Sequence, residues 1–257
     1  QLEKIMVDFY DREFDVLERN LRGLLEEALS LEAATEAMLR LNWTEGADYL
    51  VFAAEPQNGD MRENLANGVC DRLEYTLPDC CAFPLLSVVA AVVRLSDGNR
   101  EEPLRQIESF AVQNGLRFGV SEPLAGFTRF PQRLKQARFC LDQGKRKDAG
   151  ITRFCDAADD FFLQSATAVL PPELVCMRAV QEMAKSDREH DTNYLETAER
   201  YIRNKFNAVK TAGELFIHRS TFLYRLERMK TQFGLDLDAE QPSLLWLLLS
   251  IQLMSRS

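Results

Sequence analysis

The residues best placed to recognise a ligand lie in one short stretch, residues 208–230, which reads AVKTAGELFIHRSTFLYRLERMK. At about 3.6 residues per turn, its second half would place hydroxyl and cationic side chains on one face of a helix. These are Ser220, Thr221, Tyr224 and Arg228, with Arg225 at the edge of that face. Because such side chains can bind base edges and phosphate oxygens, the spacing predicts a helix that lies in the major groove of DNA.

The opposite face of the same helix is apolar. We expect Ser220 to cap this helix through its hydroxyl. Arg219 should lie at or before the first turn, because in the middle of the helix it would point toward the core. The apolar side chains recur at steps of four, three and four residues: Phe222, Leu226, Met229 and Phe233.

Two further helices must hold this one in place. A short helix over residues 209–216 should turn Val209, Ala212 and Phe216 inward, and the small Ala212 would let the two helices cross closely. An earlier helix, about residues 194–204, offers a third apolar wall. Its inward side chains are Leu195, Ala198 and Ile202.

The charge of this region is opposite to that of the rest of the chain. Residues 198–233 contain eight Lys or Arg and three acids, a net charge of +5, whereas the whole chain carries −9. An anionic body with one cationic module steers that module toward a polyanion. A solvated helical face that happens to carry arginines would give the same count, so charge alone leaves both interpretations open.

The second helix and the loop after it resemble a known DNA-binding domain. They read FIHRSTFLYRLERM and FGLDLD, and they look like the C-terminal helix-turn-helix of PucR/CdaR-type bacterial transcription regulators. In that family the helix usually reads His, Arg, Asn, Thr and then Tyr-Arg-Leu. Here Ser220 replaces Asn, and a serine makes one hydrogen bond where asparagine can bind adenine through two. The matching residues are His218, Arg219, Thr221, Tyr224, Arg225 and Leu226.

The resemblance implies a DNA-binding transcriptional regulator that acts as a homodimer on double-stranded DNA and controls a metabolic operon. A small-molecule effector would act through a domain that is not recognisable in this sequence. Thr221, Tyr224 and Arg225 would approach base edges, together with His218, Arg219 and Ser220 at the helix start. The remaining cations would mostly meet phosphates. The predicted DNA-binding residues are Lys210, His218, Arg219, Ser220, Thr221, Tyr224, Arg225, Arg228 and Lys230. Arg200, Arg203 and Lys205 are further candidates for phosphate contacts.

The middle of the chain predicts a ferredoxin-like α+β domain, because its patterns alternate as strand, helix, strand, strand, helix and strand. The segment FGVSEPLAGFTRFPQRLKQARFCLDQG is similar to the GGDEF-like domain that precedes the helix-turn-helix in PucR/CdaR regulators. Diguanylate cyclases carry glycines and acids between the two middle strands to bind GTP and Mg²⁺. That segment here reads CAFPLLSVVAAV, so the sequence predicts no enzyme activity, no cofactor and no metal.

The two ends of the chain are predicted to be helical. Residues 2–41 read as one helix with a heptad seam, either a dimer stalk or a helix packed on its own domain. The seam runs Tyr10, Phe14, Leu17, Leu21, Leu24, Ala28 and Leu31. A final helix from Pro242 to Met254 is apolar around nearly its whole circumference and should be buried in the DNA-binding core, in a subunit interface or in both.

The predicted division of the chain is a helical stalk at 1–45, a GGDEF-like α+β domain at 46–165, a linker at 166–190 and an all-α helix-turn-helix domain at 191–257. Its six cysteines form no C-x-x-C pair, which is typical of reduced thiols in a cytoplasmic protein. Adjacent Cys80 and Cys81 could be a redox sensor or small apolar residues of a strand. No run is long enough to span a bilayer. Two other functions stay open: a sensing or protein-interaction module without DNA binding, and a nucleotide cyclase.

Overall fold

A computed structural model describes residues 16–26, 28–40, 43–77, 79–95, 101–239 and 243–256. The chain divides into two compact units, the first ending at Ala158 and the second beginning at Asp159. The first unit is mixed α and β and the second is helical, which confirms the predicted α+β class.

The first unit is built on a sheet whose order confirms the ferredoxin-like prediction. The strands run in the order β2-β3-β1-β4 and are all antiparallel, β6 adds in parallel to β4, and the short β5 pairs with β1. This is the β-α-β-β-α-β arrangement, extended by one strand at its edge. The strands are β1 Asp48–Pro56, β2 Cys80–Leu85, β3 Val88–Leu95, β4 Leu116–Val120, β5 Leu124–Ala125 and β6 Ile151–Arg153.

Both faces of the sheet are covered, which explains why its strands are apolar at nearly every position. Side chains on one face of the strands, among them Leu50 and Phe52, pack against α3 and α4. Those on the other face, among them Tyr49 and Val51, pack against α1 and α5. The helices are α1 at residues 16–25, α2 Leu31–Arg40, α3 Glu63–Thr76, α4 Glu101–Asn114, α5 Phe130–Lys147 and α6 Phe154–Ala166, which contains the division between the units.

The single helix predicted over residues 2–41 is wrong in its described part. The backbone leaves the helical path before Leu31, and the amide of Leu29 turns back to donate to the carbonyl of Gly23 at 3.1 Å. Three residues of the predicted seam, Leu17, Leu21 and Leu24, are buried against the sheet of their own domain. That contact favours the packed helix over the dimer stalk. Tyr10 and Phe14 lie outside the described residues.

The second unit begins earlier in the sequence than predicted. Residues 166–190 were expected to be a linker, but α8 forms there and buries Val180 and Met183 completely in the helical core. Its buried residues Val180, Met183 and Ala184 recur at helical spacing. The helices of this unit are α7 Pro172–Val175, α8 Arg178–His190, α9 Tyr194–Arg203, α10 Ala208–Glu214, α11 Arg219–Phe233 and α12 Leu244–Arg256.

The last helix, α12, completes this core. Leu247 and Ile251 are fully buried in it, as predicted. The core of the single chain does not cover the whole circumference of α12, since Leu245 is 68% exposed and Trp246 lies half in solvent. Trp246 is held at the surface because its indole Nε1 donates to the carbonyl of Val175 at 2.6 Å.

Candidate nucleic-acid interface

Helices α10 and α11 and the turn between them form a helix-turn-helix. Asn207 caps α10 by accepting a hydrogen bond from the backbone N–H of Lys210 at 3.0 Å. The chain turns at Phe216, whose φ of 53° is left-handed, and α11 begins at Arg219. The small side chain of Ala212 is buried, which fits its predicted place at the crossing of the two helices.

The predicted inward face of α10 is partly wrong. Val209 is 67% exposed and Phe216 is 96% exposed, whereas Thr211 is fully buried and Leu215 packs against the core. The helix ends at Glu214, so Phe216 no longer follows the helical spacing from which its direction was predicted.

The apolar stripe of α11 is confirmed. Phe222 and Met229 are fully buried, and Leu226 and Phe233 pack partly buried beside them. Helix α9 supplies the third wall, since Leu195, Ala198 and Ile202 are all buried in the same core. An edge-on contact between the rings of Tyr201 and Phe222, 5.1 Å between centroids, joins α9 directly to α11.

Helix α9 is itself fixed by a carboxylate from α8. The two oxygens of Asp187 accept hydrogen bonds from the backbone N–H groups of Tyr194 at 2.7 Å and of Leu195 at 2.9 Å. These amides belong to the first turn of α9, where no partner exists within the helix. Asp187 therefore caps α9 from outside, a role that the sequence reasoning missed because Asp187 lies seven residues before that helix.

The cap of α11 is His218 rather than the predicted Ser220. The ring Nδ1 of His218 accepts from the backbone N–H of Ser220 at 3.3 Å, and the hydroxyl of Ser220 lies 2.8 Å from the same nitrogen. Arg219 is the first residue of the helix and is exposed, which is the position that the sequence predicts for it. When Nδ1 accepts, the proton of a neutral ring lies on Nε2, which leaves His218 one ring N–H to donate.

The exposed side of α11 carries the predicted polar residues. Ser220, Thr221, Tyr224 and Arg228 are all exposed, on the side of the helix away from Phe222 and Met229. The structure therefore brings these four together on one accessible surface.

Arg225 behaves differently from its neighbours. Its Nη1 donates to the hydroxyl of Thr197 at 2.9 Å, and Thr197 is fully buried on α9. The same hydroxyl donates to the carbonyl of Asn193 at 2.6 Å. The guanidinium is thus directed toward α9 and is half-buried, whereas the sequence reasoning assigned it to base edges. Thr197 was not singled out in the sequence, because it lies 28 residues from Arg225.

Several of the predicted phosphate-binding cations have acidic partners within one or two turns. The nitrogen–oxygen distances are 3.0 Å for Arg200–Glu196, 2.8 Å for Arg203–Glu199, 3.8 Å for Lys210–Glu214 and 2.7 Å for Lys230–Asp236. Surface pairs of this kind contribute little stability and can be exchanged for phosphate. Among the residues that the structure describes, Lys205, Arg219 and Arg228 have no such partner.

The comparison with family models agrees with this geometry. The model of the PucR C-terminal helix-turn-helix domain matches residues 194–251, which hold α9, α10 and α11 and most of α12. The model of the GGDEF-like domain matches residues 26–142. The two segments follow one another in the predicted order and together span most of the chain. The chain is a DNA-binding transcriptional regulator of the PucR/CdaR type.

One solved structure that resembles this regulator is the crystal structure of a regulator of polyketide synthase expression from Bifidobacterium adolescentis. The similarity covers 94% of this chain and 98% of that one, at 15% sequence identity and a TM-score of 0.45. A comparison with curated proteins gives no match.

The GGDEF-like domain of the regulator keeps the hairpin where cyclases bind nucleotide, but with other residues. Strands β2 and β3 are joined by a turn at Leu86 and Ser87, and residues 81–92 contain neither an acid nor a glycine. Cys80 and Cys81 lie within β2 on opposite faces of the sheet, one in each core cluster. Burial raises the pKa of both thiols, which disfavours the thiolate that a redox sensor needs.

Within the described ranges of the chain, no group of three or more His, Cys, Asp or Glu side chains is arranged to hold a metal ion. In the same ranges, no helix has both the length and the apolar character needed to cross a membrane.

Proposed function

We propose that this regulator binds double-stranded DNA as a homodimer, with α11 in the major groove, and that it controls a metabolic operon from the cytoplasm without catalysing a reaction. The observation that carries the proposal is the exposed surface of α11, which combines hydroxyl and cationic groups on a rigid helix. A dimer would place two copies of α11 on half-sites about one helical turn apart, and an effector would act on the spacing or population of that dimer.

Base recognition is proposed for the side chains at the start of α11. Arg219 is exposed and has no acidic partner in the described chain, so its guanidinium is available for the two acceptors of a guanine. Ser220, Thr221 and Tyr224 lie beside it and can each make one hydrogen bond. His218 caps α11 and so fixes the start of the helix that carries these side chains.

Arg225 is proposed to position α11 rather than to read a base. Its bond to Thr197 fixes the rotation of α11 about its own axis relative to α9, and a small rotation would displace every reading side chain. This revises the role that the sequence reasoning gave to Arg225.

Phosphate binding is proposed for the cations that flank the reading residues. Lys205 and Arg228 are available at once, whereas Lys210 and Lys230 must first leave Glu214 and Asp236. Arg200 and Arg203 must leave glutamates on their own helix in the same way. These contacts would set affinity and orientation without carrying sequence information.

The domain limits are also proposed from the packing. The GGDEF-like domain is assigned all described residues up to Ala158, including α1, because the leucines of α1 belong to its core. The DNA-binding domain is assigned everything from Asp159, since α8 is part of the same core as α9 and α11.

Gel-shift titrations of the whole chain on DNA enriched from a random library test this function. Arg219→Ala should cost about 1–3 kcal/mol and relax the preference at one base pair, whereas Lys210→Ala should weaken all sequences alike and lower the salt dependence. Lys185→Ala is the matched control, because Lys185 is an exposed lysine that pairs with Glu189 on α8.

The outcome is clear in either direction. Affinity that falls steeply between about 50 and 200 mM salt supports the phosphate contacts. Salt-insensitive or absent DNA binding would favour a protein-interaction module instead, and unchanged binding by Arg219→Ala would remove the reading role of α11. Sedimentation of the DNA complex measures the stoichiometry, and incubation with GTP and Mg²⁺ tests for cyclase activity.

A further inference from the structure

An apolar side chain stands among the reading residues of α11 and was not selected by the sequence reasoning. Leu223 is 45% exposed, although it lies next to the fully buried Phe222. It is one turn after Arg219 and directly before Tyr224, within the first two turns of the recognition helix.

The direction of Leu223 around α11 can be derived from its neighbours. Arg225 marks the side of the helix that faces α9, because it is bonded to Thr197 there. At about 100° per residue, Leu223 lies about 200° from Arg225 around the helix axis. Ser220 and Glu227 lie close to Leu223 on the same wheel, and both are exposed. Leu223 therefore belongs to the accessible surface that begins at Arg219 and Ser220.

Burial in the core does not fully account for this leucine. It lines a groove of about 510 Å³ together with Leu226 and Leu237, yet nearly half of its surface stays in solvent. The helix-turn-helix exposes three other large apolar or aromatic side chains, Val209, Phe216 and Tyr224. All of these side chains are exposed within residues 198–233, the segment that carries a net charge of +5.

Chemistry limits what Leu223 can contact in DNA. The side chain has no hydrogen-bond donor or acceptor, so it cannot bind a phosphate or the polar edge of a base. In the major groove, the apolar feature of the base edges is the C5-methyl group of thymine. A leucine on the exposed surface of α11, beside Arg219 and Ser220, is suited to contact that methyl group and not the polar groups of a base edge.

Resting on the proposed placement of α11 in the major groove, we infer that Leu223 is a specificity-determining residue that contacts the C5-methyl of one thymine in each half-site. Arg219 then selects a guanine at a neighbouring position, and the two side chains read adjacent base pairs from consecutive turns of the helix.

The experiment removes the methyl group from the DNA and the side chain from the protein. Duplexes enriched on the wild-type chain are resynthesised with each thymine replaced in turn by dU, which lacks only that methyl. A single replacement should weaken wild-type binding three- to fivefold at one thymine position in each half-site, the size expected for one buried methyl group. Leu223→Ala should bind the unmodified duplex more weakly than wild-type does. The variant should bind the dU duplex as well as it binds the unmodified duplex.

A matched control is Leu174→Ala, which removes a leucine that is 70% exposed on α7, outside the helix-turn-helix. This variant should keep the full wild-type response to dU. Thermal unfolding of Leu223→Ala checks that α11 is intact.

The failures are distinguishable. If the wild-type chain enriches no DNA, the proposed function fails. If wild-type binds but no dU position weakens it, or if Leu223→Ala responds to dU as wild-type does, the DNA function stands and the assignment of Leu223 is overturned.

Discussion

The guanidinium of Arg225 on α11 donates to the hydroxyl of Thr197 on α9 at 2.9 Å, a hydrogen bond between the recognition helix and the helix that supports it. Thr197 is fully buried and Arg225 is half-buried, so this bond is formed where water is largely excluded. Loss of the Thr197 hydroxyl leaves the half-buried guanidinium without its acceptor at the junction of the two helices. Loss of Arg225 removes one of two hydrogen bonds of that hydroxyl, which still donates to the carbonyl of Asn193.

Arg225→Ala and Thr197→Val should therefore have related effects. Each should lower the free energy of unfolding by about 1–3 kcal/mol and weaken binding to all DNA sequences without changing the preferred base at any position. A double-mutant cycle should show coupling of about 1–2 kcal/mol, because the second substitution has no bond left to remove. Urea unfolding and gel shifts on a set of single-base variants measure both quantities.

The cycle also separates the two roles of Arg225. If Arg225 reads a base, its replacement should change the preference at one base pair, whereas Thr197→Val should leave that preference unchanged. The coupling energy of the cycle should then be near zero. Such a result would return Arg225 to the role that its position in the sequence suggested.

The extent to which the structure follows from the sequence can be seen in α11. Phe222 and Met229 were predicted to be buried and are buried, because regular spacing on one long helix determines which face meets the core. The succession of strand, helix, strand, strand, helix and strand along the first unit was also predictable, since apolar runs and amphipathic stretches have different spacing. Strand β5, of two residues, is too short to give any such pattern.

The errors arise where a contact distant in sequence or a local change of backbone decides the outcome. Phe216 was placed by helical spacing, but the helix ends at Glu214 and the turn directs the ring into solvent. Arg225 was assigned by its place on the helical wheel, which contains no information on Thr197. Leu223 lies about 100° from Phe222 around the helix, so spacing alone does not determine whether it is buried or exposed.

A second prediction concerns Glu74 on α3. Burial raises the pKa of this carboxyl to about 7, while its hydrogen bond from the backbone N–H of Ala82, at 2.7 Å, acts in the opposite direction. Because the folded pKa lies above the unfolded value of 4.5, the folded state holds the proton more tightly. The free energy of unfolding should therefore fall as the pH rises from about 4.5 to 7, and above that range the full penalty should remain.

Glu74→Gln should remove this penalty, because an amide oxygen can still accept from Ala82 and carries no charge. The variant should be more stable than wild-type by about 1 kcal/mol at pH values above 7, a figure reduced for the partial exposure of the side chain, and equal to wild-type near pH 4.5. Urea unfolding at several pH values provides the measurement. Equal stability of the two proteins at high pH would show that Glu74 is charged without penalty.

A third prediction compares two glycines. A Cβ at Gly119 on β4 would lie 2.0 Å from the carbonyl oxygen of Ala137 and 2.3 Å from the backbone nitrogen of Leu141, both on α5. Helix and strand would have to separate, so Gly119→Ala should destabilise the first unit by at least about 3 kcal/mol. A Cβ at Gly213 on α10 meets nothing within 4 Å.

Gly213→Ala should therefore stabilise the helix-turn-helix by about 0.5–1 kcal/mol, the difference in helix propensity between the two residues. Thermal unfolding of the two variants beside wild-type gives opposite shifts if the packing is as described. A Gly119→Ala protein that unfolds at the wild-type temperature would mean that β4 and α5 are not in close contact.

The turn before the recognition helix provides the last prediction. Phe216 has a φ of 53°, a left-handed conformation that costs an L-residue about 1–2 kcal/mol. Its ring is 96% exposed, so it contributes almost no burial to offset that cost. Glycine adopts this conformation without strain but loses about 0.5–1 kcal/mol more backbone entropy on folding.

Phe216→Gly should therefore be more stable than Phe216→Ala by about 0.5–1 kcal/mol, because both variants lose the ring and only alanine keeps the strain. Urea unfolding of the two variants makes the comparison, and an alanine variant as stable as the glycine variant would show that the turn is not left-handed at this residue. If both variants also bind DNA with wild-type affinity, the exposed ring serves neither the fold nor the contact, and the apolar part of the reading surface reduces to Leu223 and Tyr224.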